Sequence, residues 1–297
     1  MDDNFARSFG GVADAYERGR PGYPTEAVTW LVGHEPTTVL ELGAGTGKLT
    51  ETLVELGHDV HACEPDEEML AVLRKKLPDI RSSASAAEQI PAPDASFDVV
   101  VAAQSLHWFD LDRALPEINR VLKPCGRIAA VWNVRDESMP WVRKLGLIIG
   151  TQEQLREPEE PLVKSGLFGF VEKASYKFWQ KVDRKSIVDL VVSRSNIAVL
   201  DQQAREAKLR ELLAFYDDYG RGMDGMQLPY DCDCYRATVI KKTAPAPPPP
   251  EFEDPEPRPL FADEVRRPET PASDSAPSAA KPEDDGDDDD LLLIHFR

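Results

Sequence analysis

The chain has 297 residues, with 53 acidic against 35 basic side chains and a net charge of −18. That length allows one α/β domain with a substantial core. Such acidity argues against a general attraction to nucleic acid phosphates, and no apolar run is long enough for a membrane-spanning helix, so no membrane partner is expected.

The opening Met1-Asp-Asp-Asn-Phe-Ala-Arg7 lacks the basic flank and apolar stretch of a secretory signal, so a cytoplasmic location is expected. Cysteine usage fits it. Cys63 and Cys125 stand among apolar neighbours and read as small core residues. Cys232 and Cys234 form a C-x-C pair on one strand face, with no second pair to complete a metal site.

In chain order, Pro24–Leu31 reads as a helix with Thr25 as its cap. Thr37–Leu42 is a buried strand running into glycine. Lys48–Leu56 spaces Leu49, Leu53 and Leu56 as a helix face, stopped by Gly57. His58–Cys63 is the second strand, Glu67–Leu77 the next helix, and Ile80–Ala84 a short third strand. Phe97–Ala103 is a central strand, Leu111–Leu122 a helix, and Gly126–Asn133 another strand. This alternation predicts a doubly wound, mostly parallel Rossmann-like sheet with helices on both faces.

Beyond residue 134 the rhythm loosens. Trp141–Gly150, Ser186–Val192 and Gln202–Tyr216 read as helices, and Val171–Gln180 and Tyr230–Ile240 as strands. Those strands would bring the sheet to seven, with an antiparallel edge. The last 54 residues hold 12 of the 25 prolines and 15 acids against 5 bases. Such a segment cannot bury enough apolar surface to offset its chain entropy, so residues 244–297 are expected to be a disordered acidic tail. Its apolar end, Leu291–Phe296, is a candidate docking element for a protein partner. The folded domain is expected over 1–243.

The chemistry centres on Val39-Leu-Glu-Leu-Gly-Ala-Gly-Thr-Gly47. Gly43, Gly45 and Gly47 lie between a strand and a helix, where glycine permits positive φ and close ligand approach. The helix N-terminus there offers unpaired N–H groups. Glu64 follows 21 residues after Gly43, at the end of the next strand, where doubly wound folds place an acid on a ribose diol. These features indicate a nucleoside ligand and leave a dinucleotide and S-adenosylmethionine both open.

Glu41-Leu-Gly-Ala-Gly-Thr-Gly47 resembles the first signature motif of class I S-adenosylmethionine-dependent methyltransferases, and Cys63-Glu-Pro-Asp66 resembles the second. Ser85–Pro91 is similar to the family's adenine-side segment, Asp94–Val101 to its fourth-strand motif, and Gln104–Asp110 to the loop facing cofactor and acceptor. The resemblance implies S-adenosylmethionine as cofactor. It implies Glu41, Gly43, Ala44, Gly45, Gly47, Glu64, Pro65, Ala87, Glu88 and Gln104 as the residues around it. Phe9–Pro24 is similar to the N-terminal segment of small-molecule methyltransferases of the ubiquinone-biosynthesis and trans-aconitate type, and implies residues 1–24 as a lid, with Tyr16 and Arg20 as candidates for its inner face.

A sulfonium methyl is already activated, so transfer needs chiefly positioning and exclusion of water. A base is needed only where the acceptor must lose a proton. His107 is the histidine placed to act as one, and Trp108 a candidate wall of the acceptor pocket. The expected function is methyl transfer to a small-molecule oxygen or carbon. Its rivals are a non-catalytic S-adenosylmethionine-binding scaffold and an NAD-dependent oxidoreductase.

Overall fold

The computed structural model describes residues 13–150, 158–194, 197, 200–220 and 225–240. The first twelve residues of the expected lid and the acidic tail lie outside them. Helices α1 (Ala13–Gly19) and α2 (Thr25–Val32) precede the sheet. Then follow β1 (Thr38–Leu42), α3 (Lys48–Glu55), β2 (Asp59–Cys63), α4 (Glu67–Lys76), β3 (Arg81–Ser83) and β4 (Phe97–Ala103). A 3₁₀ turn over Leu106–Trp108 leads to α5 (Leu111–Val121) and β5 (Leu122–Arg135). The remainder comprises α6 (Pro140–Ile149), α7 (Glu159–Lys164), β6 (Phe168–Val182), α8 (Arg184–Val192), α9 (Gln202–Tyr219) and β7 (Met226–Val239).

The seven strands form one sheet in the order β3-β2-β1-β4-β5-β7-β6. Strands β1 to β5 pair in parallel, and β7 runs antiparallel to both β5 and β6. The expected antiparallel edge is thereby corrected. The reversed strand lies one place inside, and the edge strand β6 points the same way as β5. A long connection carries the chain from β5 out to β6, and β7 then fills the gap between them.

Side chains alternate across the strands. Leu40, Leu42, Val100 and Ile128 pack one face against Ala114, Leu115, Ile118 and Val121 of α5. Val39, Val99, Val101, Ala129 and Val131 pack the other against α2 and α3, through Val28, Leu31, Leu49 and Leu53. Both faces are buried, which is why these parallel strands read as continuous apolar runs. Cys232 and Cys234 share the second face, fully buried. A third cluster joins α6, α8 and α9 to the ends of β6 and β7 through Leu145, Ile187, Leu212 and Tyr230.

Two local expectations are corrected. Cys125 is exposed, with φ at +66°. Its apolar neighbours mask a Lys-Pro-Cys-Gly turn, which interrupts the β4–β5 register between Phe97 and Val99. Thr25 is the first helical residue, and Pro24 holds the cap position without a side-chain bond.

Candidate functional site

Ligands of open α/β sheets bind outside the carboxyl ends of the strands. Here that edge carries the glycine loop after β1. Gly43, Gly45 and Gly47 have φ of +69°, +57° and +81°. The amides of Gly43 and buried Ala44 donate to the Cys63 carbonyl, tying the loop to the end of β2. Gly43 also tolerates no side chain, because a Cβ would stand 2.5 Å from that of Ser105. Ser105 is pinned to the end of β1, its hydroxyl donating to the Leu42 carbonyl at 2.7 Å. Gly45 differs: a Cβ there would meet nothing within 4 Å. The loop is therefore packed on one side and leaves open room at its middle.

Two acids flank this room. Glu64, buried at the end of β2, accepts from the Gly45 amide at 2.7 Å and from the Asp66 amide at 2.9 Å. Burial raises its pKa, outweighing those two bonds. Pro65 is exposed beside it, and the Asp66 carboxylate caps α4 by accepting from the Glu68 and Met69 amides. Glu41 is 1% exposed on the Val39 face of β1. The Thr50 hydroxyl donates to it at 2.6 Å. Burial pushes its pKa up to about 8, against the opposing pull of Thr50 and Lys76.

The other expected cofactor neighbours lie along the same edge. Ala87 is buried in the core, whereas Glu88 is half-buried and accepts from the Asp110 amide at 2.7 Å. Gln104 adopts a left-handed φ of +57°, and its amide donates to the Val131 carbonyl. Its side chain leans towards β5, donating to the Asn133 carbonyl at 3.4 Å. His107 sits on the 3₁₀ turn. Its Nδ1 accepts from the buried Trp132 indole at 3.5 Å, and its ring lies 4.8 Å from that of Trp108. Trp108 is half-buried, as is Phe109, which packs against the core beneath the loop.

Helix α1 is held from both sides. Glu17 bridges Lys48 of α3 and Lys76 of α4. Arg18 grips Asp189 of α8 with two bonds, and Gly19 packs so tightly that a Cβ would stand 2.3 Å from the Leu190 amide. Tyr16 is half-buried under the Arg20 guanidinium, 5.1 Å from its ring centre. Burial raises the Tyr16 pKa, Arg20 opposes this, and Glu64 and Glu41 are close enough to add to it. Tyr16, with Arg20 over its ring, thus stands within electrostatic reach of the two acids. A surface cavity of about 270 Å³, lined by no residue of the glycine loop, lies between Pro21–Pro24 and Phe178–Gln180.

Ser105 and Thr50 were not singled out by sequence reasoning. Ser105 follows Gln104 directly, within a loop already marked. Thr50 stands on the buried face of α3 between Leu49 and Leu53, where a hydroxyl needs a partner.

A glycine loop with open room and buried acids at the carboxyl edge fits a protein that holds a nucleoside. Comparison with known proteins narrows this. A methyltransferase-domain family profile matches residues 40–130. An uncharacterized methyltransferase of Mycobacterium tuberculosis (strain ATCC 25618 / H37Rv) is 44% identical over 240 residues, covering 78% of this chain and 96% of its own length. A solved structure from Anaeromyxobacter dehalogenans, described as a "Putative Type II Methyltransferase", shares 26% identity at a TM-score of 0.57, covering 74% of this chain and 97% of its own. A demethylmenaquinone methyltransferase of Chlorobaculum tepidum is 38% identical over 98 residues, 32% of this chain and 40% of its own, so likeness to that subgroup is loose.

The chain belongs to the class I S-adenosylmethionine-dependent methyltransferases. It is an enzyme that transfers a methyl group from S-adenosylmethionine to an acceptor, which sets aside the oxidoreductase and scaffold readings. Among the described residues no helix is long and apolar enough to cross a membrane.

Proposed function

We propose that the acceptor is a small molecule, methylated on oxygen or carbon beneath α1 at the carboxyl edge. The observation that carries this reading is α1 itself. The helix is clamped at Glu17, Arg18 and Gly19 and brings Tyr16 within reach of Glu41 and Glu64. A roofed site suits a small acceptor and the exclusion of water.

The residues present fit the cofactor. In this reading the open side of Gly45 receives it, Glu64 takes the ribose hydroxyls, and Glu41 lies towards the methionine ammonium. Gly43, Ala44 and Gly47 shape the loop, Pro65, Ala87 and Glu88 border the base, and Gln104 faces the sulfonium side. When bound, the cofactor supplies an activated methyl group. The domain is read as 1–243, with residues 1–24 as the lid and a cytoplasmic setting. A protein partner for the tail is a reading on residues outside those described.

His107 is read as a positioning group. Its Nδ1 already accepts from Trp132, so the neutral ring carries its proton on Nε2. Taking a proton at Nδ1 would forfeit the indole bond. The experiment that tests this reading incubates the full chain with methyl-tritiated S-adenosylmethionine and cell extract across pH 5.5–8.5. Label should enter the small-molecule fraction. His107→Asn should lower the rate by less than about tenfold and leave the pH profile unchanged, whereas general-base loss costs about 10²–10⁴-fold. Label confined to protein or RNA would refute the small-molecule acceptor. A rate that rises with pH in the wild type and loses that rise in the variant would make His107 the base.

A further inference from the structure

The glycine loop leaves β1 after Leu42 and enters α3 at Lys48. One side-chain hydrogen bond closes its base. Thr50, fully buried in the first turn of α3, donates its hydroxyl to Glu41 Oε2 at 2.6 Å, across nine residues of chain. A helical threonine often returns its hydroxyl to a carbonyl of its own helix. Thr50 gives its hydroxyl to the strand instead. The same oxygen would stand 3.4 Å from a Cβ on Gly47, so the pair lies against the end of the loop.

The two acids at this edge differ in how they are held. Both oxygens of Glu64 are taken, Oε2 by the Gly45 amide and Oε1 by the Asp66 amide. Glu41 is the more deeply buried, yet Thr50 is its hydrogen-bond partner at Oε2 alone, and its Oε1 makes no hydrogen bond among the described residues. A buried polar atom left in that state is costly unless a ligand completes it. Burial is the largest influence on the Glu41 carboxyl and opposes its ionisation. The Thr50 bond comes next and favours it, ahead of Lys76, while Glu64 sides with burial. One hydroxyl thus fixes the direction of the Glu41 side chain and favours its charged form.

We propose that Thr50 is a positioning residue for the cofactor, holding the Glu41 carboxylate so that Oε1 faces the ammonium of the methionine part of S-adenosylmethionine. The inference rests on the reading of Glu41 as the ammonium's neighbour and deepens it. Thr50 itself stays behind the acid, in the core between α3 and β1, and touches no ligand. Its loss should therefore be felt by the ammonium and not by the rest of the cofactor.

The test measures, by calorimetry on the full chain, the affinity of S-adenosylhomocysteine and of its deaminated analogue, which lacks only the amino group. Thr50→Val keeps the shape of the side chain and removes the donor. It should weaken S-adenosylhomocysteine about tenfold or more and change the analogue by less than about twofold. Thr50→Ser, which restores the hydroxyl, should bind S-adenosylhomocysteine to within about threefold of the wild type. Glu41→Gln should lose at least as much as Thr50→Val, and adding Thr50→Val to it should cost little more, because the two residues act as one unit. Should Thr50→Val fail to fold, Thr50→Ala removes the same donor and is judged by the same split between the two ligands. Unchanged affinity in a folded Thr50→Val, no recovery in Thr50→Ser, or full additivity with Glu41→Gln would overturn the proposal. Equal losses of both ligands would also overturn it and assign Thr50 to holding the loop alone. Normal binding of S-adenosylhomocysteine by Glu41→Gln would overturn it by removing Glu41 from the ammonium, with the cofactor reading intact. Failure of the wild-type chain to bind S-adenosylhomocysteine would remove the cofactor reading itself.

Discussion

Glu64→Ala is expected to weaken S-adenosylmethionine binding by roughly 10- to 150-fold while the chain stays folded. A carboxylate on a ribose diol makes charge-assisted hydrogen bonds, and loss of such bonds costs about 1.5–3 kcal/mol. The carboxylate already accepts from the Gly45 and Asp66 amides, which aligns it at the end of β2. The variant also leaves those two amides to water, but α4 keeps its own cap in Asp66. Calorimetry should show the affinity loss, and a melting curve the retained fold. An unchanged affinity in a folded variant would remove Glu64 from the cofactor site.

Gly45→Val should abolish measurable binding, a loss of at least about 100-fold, equivalent to about 2.7 kcal/mol. The φ of +57° is unfavourable for any side chain and most so for a branched one, at a cost of roughly 1–2 kcal/mol in the fold. Yet a Cβ at this position meets nothing within 4 Å. The side chain would stand in the room assigned to the ligand, so binding should suffer far more than stability. A variant that melts a few degrees lower and still binds normally would show that the ligand does not pass Gly45.

The first half of the sheet was legible because parallel strands buried on both faces leave a strong trace. Phe97–Ala103 matches β4 end for end, and Thr38–Leu42 falls within the expected first strand. The glycine loop was equally legible, since its residues answer a backbone need for positive φ, and Glu64 falls directly after β2, where its spacing put it. Elsewhere the trace is weak. Helix α1 is a seven-residue, largely polar segment whose hold comes from Lys48, Lys76 and Asp189, far away in sequence. Helix α7 has six residues, too few to show a period. The place of β7 depends on the order in which strands join the sheet, which local patterning does not encode. Cys125 misled because its neighbours look like core while the backbone turns there. Arg20 was half legible: its expected place on a lid followed from resemblance, but its partner Ser193 is 173 residues away.

The proposed reaction moves a methyl group from S-adenosylmethionine to a small acceptor. Mass spectrometry of cell-extract metabolites, after incubation with the full chain and S-adenosylmethionine, tests it most directly. The expected result is a small-molecule product heavier by one CH₂, formed in step with S-adenosylhomocysteine and strongly reduced with Glu64→Ala at limiting cofactor. S-adenosylhomocysteine accumulating with the methyl group on protein or RNA, or no turnover by a chain that binds the cofactor, would contradict it.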